Sequence, residues 1–265
     1  MRFFAQLMDH DRQQNAIDYL KRVANQQCGS AEASARYNLA LLLEDQENWA
    51  ESLSQIDLAL KLNEDARYHQ LRLRALFKLN RFPEAISAAQ HALKLRPDDI
   101  DSRQLLATLL LSSKQYAAAK DQLNELMQLR PGDLGSRFYL ATAYLAQQKT
   151  VQAIAEYRTL LNQNPNFHPA ANNLAWLYAT HADAKLRNGP EALRLATQIC
   201  ANTPSPNYLD TLAMAQAEVG DFTAALVTAR RALAMFEEQG NSPKAASLKK
   251  RIPLLESGRA YRDSP

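Results

Sequence analysis

Apolar, small and polar positions recur along this chain with a period of 34 residues. Pro97, Pro131 and Pro165 mark that period, and placing each at position 32 of a repeating unit sets unit starts at residues 33, 66, 100, 134, 168 and 206. Position 7 then reads Leu39, Arg72, Leu106, Leu140, Leu174 and Leu212, and position 11 reads Leu43, Leu76, Leu110, Tyr144, Tyr178 and Gln216. Together with position 8 they occupy i, i+1 and i+4, one stripe of an amphipathic helix. Position 8 (Ala40, Leu73, Ala107, Ala141, Ala175, Ala213) and position 20 (Ser52, Ala85, Ala119, Ala153, Ala192, Ala225) are mostly small. Small side chains there let two helices cross at close range, and a longer one would overpack the contact by roughly 1–3 kcal/mol. Polar turn formers separate the two helices at Gln46-Glu47-Asn48, Asn80-Arg81, Ser113-Lys114-Gln115, Gln148-Lys149 and Gly220-Asp221. Trp49, Phe82, Tyr116 and Phe222 follow them at position 17 and open the second helix. Each unit therefore reads as a helix-turn-helix that buries its apolar face only when a neighbour stacks on it.

Residues 33–239 resemble the tetratricopeptide repeat family through these Leu-Ala, aromatic, Ala and Pro positions, most closely from Leu106-Ala107 through Tyr116 and Ala119 to Pro131. The resemblance implies an all-α fold, a right-handed α-solenoid of six helix-turn-helix repeats. The departures are Arg72 at an apolar place, Glu64 and Glu237 at the proline place, and the absence of the family's tryptophan at position 4. Residues 1–29 fit a degenerate or truncated repeat, with Ala16-Ile17 and Tyr19-Leu20-Val23 as the apolar stripe of its second helix. Met1 falls inside the expected first helix, so the chain reads as a carboxy-terminal portion of a longer protein with an anchor or targeting segment upstream.

The unit starting at 168 holds a five-residue insertion over 180–190, where Gly189-Pro190 is expected to end one helix and start the next. The run Asn172-Asn173-Leu174-Ala175-Trp176-Leu177, with Arg187-Asn188-Gly189, Tyr208-Leu209-Asp210-Thr211-Leu212-Ala213 and Gly258-Arg259-Ala260-Tyr261-Arg262, resembles the carboxy-terminal module of many bacterial tetratricopeptide proteins. That resemblance implies a bacterial source. A last helix over 242–257, with Ala246, Leu248, Ile252 and Leu255 on one side, is expected to cap the array, leaving 258–265 as a tail.

Of 265 residues, 31 are Lys or Arg and 28 Asp or Glu, a formal charge of +3. That excess is too small for the electrostatic footprint of a general nucleic-acid binder. No apolar run approaches a secretory signal or a membrane span, so a soluble chain in cytoplasm or periplasm is expected. Cys28 and Cys200 sit in different units and in no Cys-x-x-Cys or Cys/His spacing. The histidines at 10, 69, 91, 168 and 181 lack metal spacing, and seven glycines leave little ligand-cradling backbone. His181 and Asp183 form the one acid-base combination, inside the polar insertion. No catalytic motif is present, so neither enzyme activity, cofactor nor metal is expected.

In the resembled family the first helices line a concave groove reached by positions 2, 5, 6, 9 and 13. Those positions supply Phe138, Tyr139, Asn172, Asn173 and Trp176, an aromatic and amide cluster suited to an extended peptide. They also supply Arg67, Gln70, Arg74 and Lys78, a basic strip along one helix. The Lys and Asn of the family's chaperone-tail clamp are missing: those positions read Tyr37 and Leu41, Gln70 and Arg74, Gln104 and Thr108. The expectation is a non-enzymatic scaffold holding a peptide segment of another protein. Two alternatives are self-association into a homo-oligomer, and the soluble part of a membrane or envelope polysaccharide assembly.

Overall fold

The computed structural model describes residues 2–26 and 30–263, which form fourteen α-helices and no strand. Cys28 and the side chain of His10 lie outside the described residues. Two compact units, Met1–Gly132 and Asp133–Pro265, each have their own core. The first holds α1 (Arg2–Ala24), α2 (Ser30–Asp45), α3 (Trp49–Leu62), α4 (Ala66–Lys78), α5 (Phe82–Leu95), α6 (Ile100–Ser112) and α7 (Tyr116–Leu129). The second holds α8 (Leu134–Ala146), α9 (Thr150–Gln163), α10 (His168–Thr180), α11 (Gly189–Asn202), α12 (Pro206–Glu218), α13 (Phe222–Glu238) and α14 (Ser242–Glu256). The amino-terminal segment is one continuous helix, α1, with Ile17 and Ala24 buried and Tyr19 exposed.

Close crossing explains the alanines. Ala85, Ala119, Ala153, Ala192 and Ala225 are all fully buried. Ser52 takes the same place in α3 because its hydroxyl donates to the Ala40 carbonyl at 2.8 Å, which satisfies the one polar atom the site would otherwise strand.

Turns within the helix pairs share one backbone solution. Glu47, Asn80, Lys114 and Gln148 take φ of 57–59° and Gly220 takes 87°. The next residue's N–H then reaches back to the position-11 carbonyl: Asn48 to Leu43, Arg81 to Leu76, Gln115 to Leu110, Lys149 to Tyr144 and Asp221 to Gln216, all at 2.8–2.9 Å. This is the bond that closes a helix with a left-handed residue. Four of the five turns hold a side chain in a conformation that favours glycine. Gln148→Gly is therefore expected to stabilise the protein by about 0.5–1 kcal/mol, read as a rise in the urea midpoint. An unchanged or lowered midpoint would count against strain at this turn.

Position 4, without its tryptophan, is an arginine in three repeats. Arg36 donates to Gln55 at 3.0 Å, Arg103 to Gln122 at 2.9 Å and Arg137 to Glu156 at 2.7 Å, each spanning 19 residues from first to second helix. Arg103 is buried and also pairs with Glu125. Arg72, at an apolar place, turns outward to Asp57 on α3 at 2.6 Å.

His69 occupies position 4 in the repeat starting at residue 66, one of the three without this arginine. It is buried, its ring stacks on His91 of α5 at 5.1 Å, and Glu64 lies 3.6 Å from its Nε2. Burial, then the neighbouring His91, pushes its pKa below the ordinary 6.5, against the opposing pull of Glu64. The unfolded chain therefore takes up this proton first as pH falls, so stability drops from about pH 6.5 downward to the folded pKa. His69→Leu is expected to flatten that loss in urea midpoints between pH 7.5 and 5.5. An equally steep loss in the variant would assign it to other groups.

Candidate binding surface

In the second unit α8 and α10 place the aromatic and amide cluster, with unequal roles for its members. Phe138 is half-buried and sits among rings: Tyr139 at 5.8 Å, Tyr157 at 6.0 Å and Phe167 at 5.6 Å between centroids. Tyr139 is 44% exposed and is the member open to solvent. Asn173 donates to the buried Tyr157 hydroxyl at 3.1 Å, so part of its hydrogen-bonding capacity is spent inside the fold. Asn172 lines a cleft, but its Oδ1 is turned inward and has no hydrogen-bond partner among the described residues.

Trp176 is already engaged. Its indole N–H donates to Asp263 Oδ2 at 2.9 Å, and its ring lies 6.2 Å from that of Tyr261. The Arg251 guanidinium of α14 stands 5.1 Å from the Trp176 ring centroid and 5.4 Å from that of Tyr261, within cation–π range of both. The same guanidinium makes two bonds, 2.8 and 2.9 Å, to the carboxylate of Asp210 on α12, and both side chains are buried. Burial pushes the Asp210 carboxyl above its ordinary value, with Arg251 opposing.

The chain after α14 turns at Gly258 (φ 66°) and runs back as an extended segment. Asp263 N–H donates to the Thr180 carbonyl at 2.8 Å and bridges His181, while Arg262 donates to the Ala179 carbonyl and pairs with Glu218 at 2.7 Å. Arg187 of the insertion pairs with the same Glu218 at 3.0 Å and donates to the carbonyls of His181 and Ala182. His181 and Asp183 make no acid-base pair of side chains: His181 Nδ1 accepts the Asp183 backbone N–H, and Asp183 caps a short turn through the Lys185 N–H. Gly189 falls at the start of α11, where a Cβ would come within 3.0 Å of Val219.

Two clefts flank this segment. One, about 400 Å³, is lined by Asn172, Asn207, Thr211, Lys244 and Ser247 among others. The other, about 650 Å³, lies against Val151, Thr180 and Leu186. Leu145, Trp176, Leu177 and Asp263 border both.

In the first unit α4 carries the basic strip, whose charges are largely met. Arg67 pairs with Asp65 at 2.6 Å, Arg74 makes two 2.7 Å bonds to Glu44, and Gln70 donates to Asp99 at 2.6 Å. Lys78 sits 5.4 Å from the Trp49 ring centroid. The side-chain bond to Asp65 raises the Arg67 pKa, and that to Glu44 raises the Arg74 pKa.

Among the described residues no cluster of His, Cys, Asp or Glu has the geometry to hold a metal ion. Burial pushes the Cys200 thiol up to about 11, which leaves it unreactive at neutral pH.

A family model described as tetratricopeptide repeat matches residues 37–100, and one described as anaphase-promoting complex, cyclosome, subunit 3 matches 79–160. Residues 37–100 thus match the tetratricopeptide repeat family, and the fold is that of an all-α tetratricopeptide-like array. A tetratricopeptide repeat protein from Parabacteroides merdae is 13% identical, with 95% of each chain covered and a TM-score of 0.56. YrrB, described as a TPR protein with an unusual peptide-binding site, is 18% identical over 78% of this chain and 95% of its own, with a TM-score of 0.53. MamA is 16% identical over 60% of this chain and 93% of its own, also with a TM-score of 0.53. At such identities the likeness is one of fold. No curated protein matches by sequence. The tetratricopeptide fold is a scaffold for protein–protein interaction, and among the described residues no helix of this array is long and apolar enough to cross a membrane.

The sequence missed Arg251, Asp210 and Asp263 as parts of this surface. Their signal was the Asp210 and Gly258–Arg262 runs noted as a carboxy-terminal module, but nothing in a linear pattern says that the two meet.

Proposed function

We propose that this array is a non-enzymatic scaffold that holds an extended segment of a partner protein against α8 and α10 of its second unit. The observation that carries the reading is the buried, unpartnered Asn172 Oδ1 beside a polar cleft and the Trp176 ring. Rotation of the Asn172 amide towards the cleft would offer this oxygen to a peptide backbone N–H, and an aromatic wall supplies contact area. The peptide-binding site of YrrB, a protein of the same fold, is consistent with this use. On α4 of the first unit, an acidic ligand residue would exchange with Asp65 at Arg67 or with Glu44 at Arg74, next to Gln70 and Lys78.

The test compares capture of proteins from native-source lysate by the wild type and by a Phe138→Ala, Tyr139→Ala, Trp176→Ala variant of unchanged helicity. A protein retained only by the wild type is the expected result. Identical retention would overturn the assignment of the site to α8 and α10.

A further inference from the structure

We infer that residues 261–263, Tyr-Arg-Asp, are a built-in occupant of this surface, and that the partner segment it accepts carries the same order of aromatic, cation and carboxylate. This rests on the binding reading above and names its ligand chemistry. Each of the three side chains has its own receptor group. The Tyr261 ring meets Arg251, Arg262 meets Glu218 and the Ala179 carbonyl, and Asp263 takes the Trp176 indole N–H. The backbone joins in through Asp263 N–H and the Thr180 carbonyl. This is how an extended peptide is held: main-chain bonding for affinity, separate side-chain contacts for specificity. The receptor groups come from α10, α12 and α14, so they stand in place whether the ligand is attached or free.

Position makes the segment a competitor as well as a template. Asp263 stands with Trp176 on the border of both clefts and holds the indole N–H, so its departure frees that donor. A tethered segment acts at an effective concentration near millimolar, and a free ligand of similar affinity must outcompete it.

The test uses a fluorescent peptide of sequence Arg-Ala-Tyr-Arg-Asp, matching residues 259–263, titrated by anisotropy into the 265-residue chain and its variants. Tyr261→Ala with Asp263→Ala weakens the tethered copy, and the variant is expected to bind the free peptide about tenfold or more tighter than wild type, by removal of that effective concentration. Adding Trp176→Ala should abolish binding. Arg262→Ala, which touches neither Trp176 nor Arg251, supplies a second weakened tail with the same expected direction. Equal binding by wild type and both tail variants, or none by any up to millimolar peptide, would overturn the inference. If a partner is still lost from the lysate with the α8 and α10 variant while the peptide fails, the binding surface stands and the tail's role falls. If the peptide binds as expected and no partner is lost, the reverse holds.

Discussion

Arg251→Ala is expected to destabilise the protein by about 3–5 kcal/mol, because it leaves the Asp210 carboxylate buried without its counter-charge. Both partners are buried, and their two bonds at 2.8 and 2.9 Å take up both carboxylate oxygens. Removal also deletes the cation beside Trp176 and Tyr261, each contact contributing ~0.5–2 kcal/mol. The pair itself is a weaker source of stability than the cost of breaking it suggests, since both ions were taken from water to form it. Replacing both, as Arg251→Met with Asp210→Leu, is therefore expected to recover most of the loss. Urea unfolding of the three proteins checks this. A single variant within about 0.5 kcal/mol of wild type, the range of ordinary surface changes, would mean that water reaches Asp210 and the pair is not sealed.

Tyr157→Ala is the second large effect, about 3–5 kcal/mol by removal of a fully buried aromatic. Tyr157 lies in α9 at 0% exposure, with its ring against Phe138 and its hydroxyl accepting from Asn173. Tyr157→Phe keeps the ring and loses only the hydroxyl, for an expected cost of about 1 kcal/mol. It also frees the Asn173 amide towards the surface. Stability by urea unfolding should rank wild type, Phe and Ala in that order. If Phe costs as much as Ala, the hydroxyl bond and not ring packing holds this core together.

The fold was legible because the pattern that encodes it is local and repeated. Each alanine at position 20 and each leucine at position 7 reports the same crossing, and the helices beginning at Ala66, Ile100, Leu134, His168 and Pro206 follow from spacing alone. The left-handed turns were less legible, since Glu47, Asn80, Lys114 and Gln148 share a backbone shape and no side-chain chemistry. The arginines at position 4 were visible as an absence of tryptophan, yet their bonds to position 23 needed the helix pair in three dimensions. The surface was legible only in part. Position numbers placed Phe138, Tyr139, Asn172, Asn173 and Trp176 on neighbouring first helices, but not the inward bond of Asn173 or the unmatched oxygen of Asn172. Nor did they place Asp263, 87 residues beyond Trp176 in sequence, because contacts made by an irregular segment carry no period to read. On α4 the charges of Arg67 and Arg74 were evident, while their partners Asp65 and Glu44 depended on side-chain direction.

The protein has two tryptophans, and they fall one in each unit. Trp49 lies under the Lys78 ammonium and Trp176 between a guanidinium and a carboxylate. The unmodified chain thus carries two intrinsic optical reporters in different electrostatic surroundings. Emission from Trp176→Phe follows the first unit alone and emission from Trp49→Phe the second, so unfolding and ligand entry become separately observable without a dye.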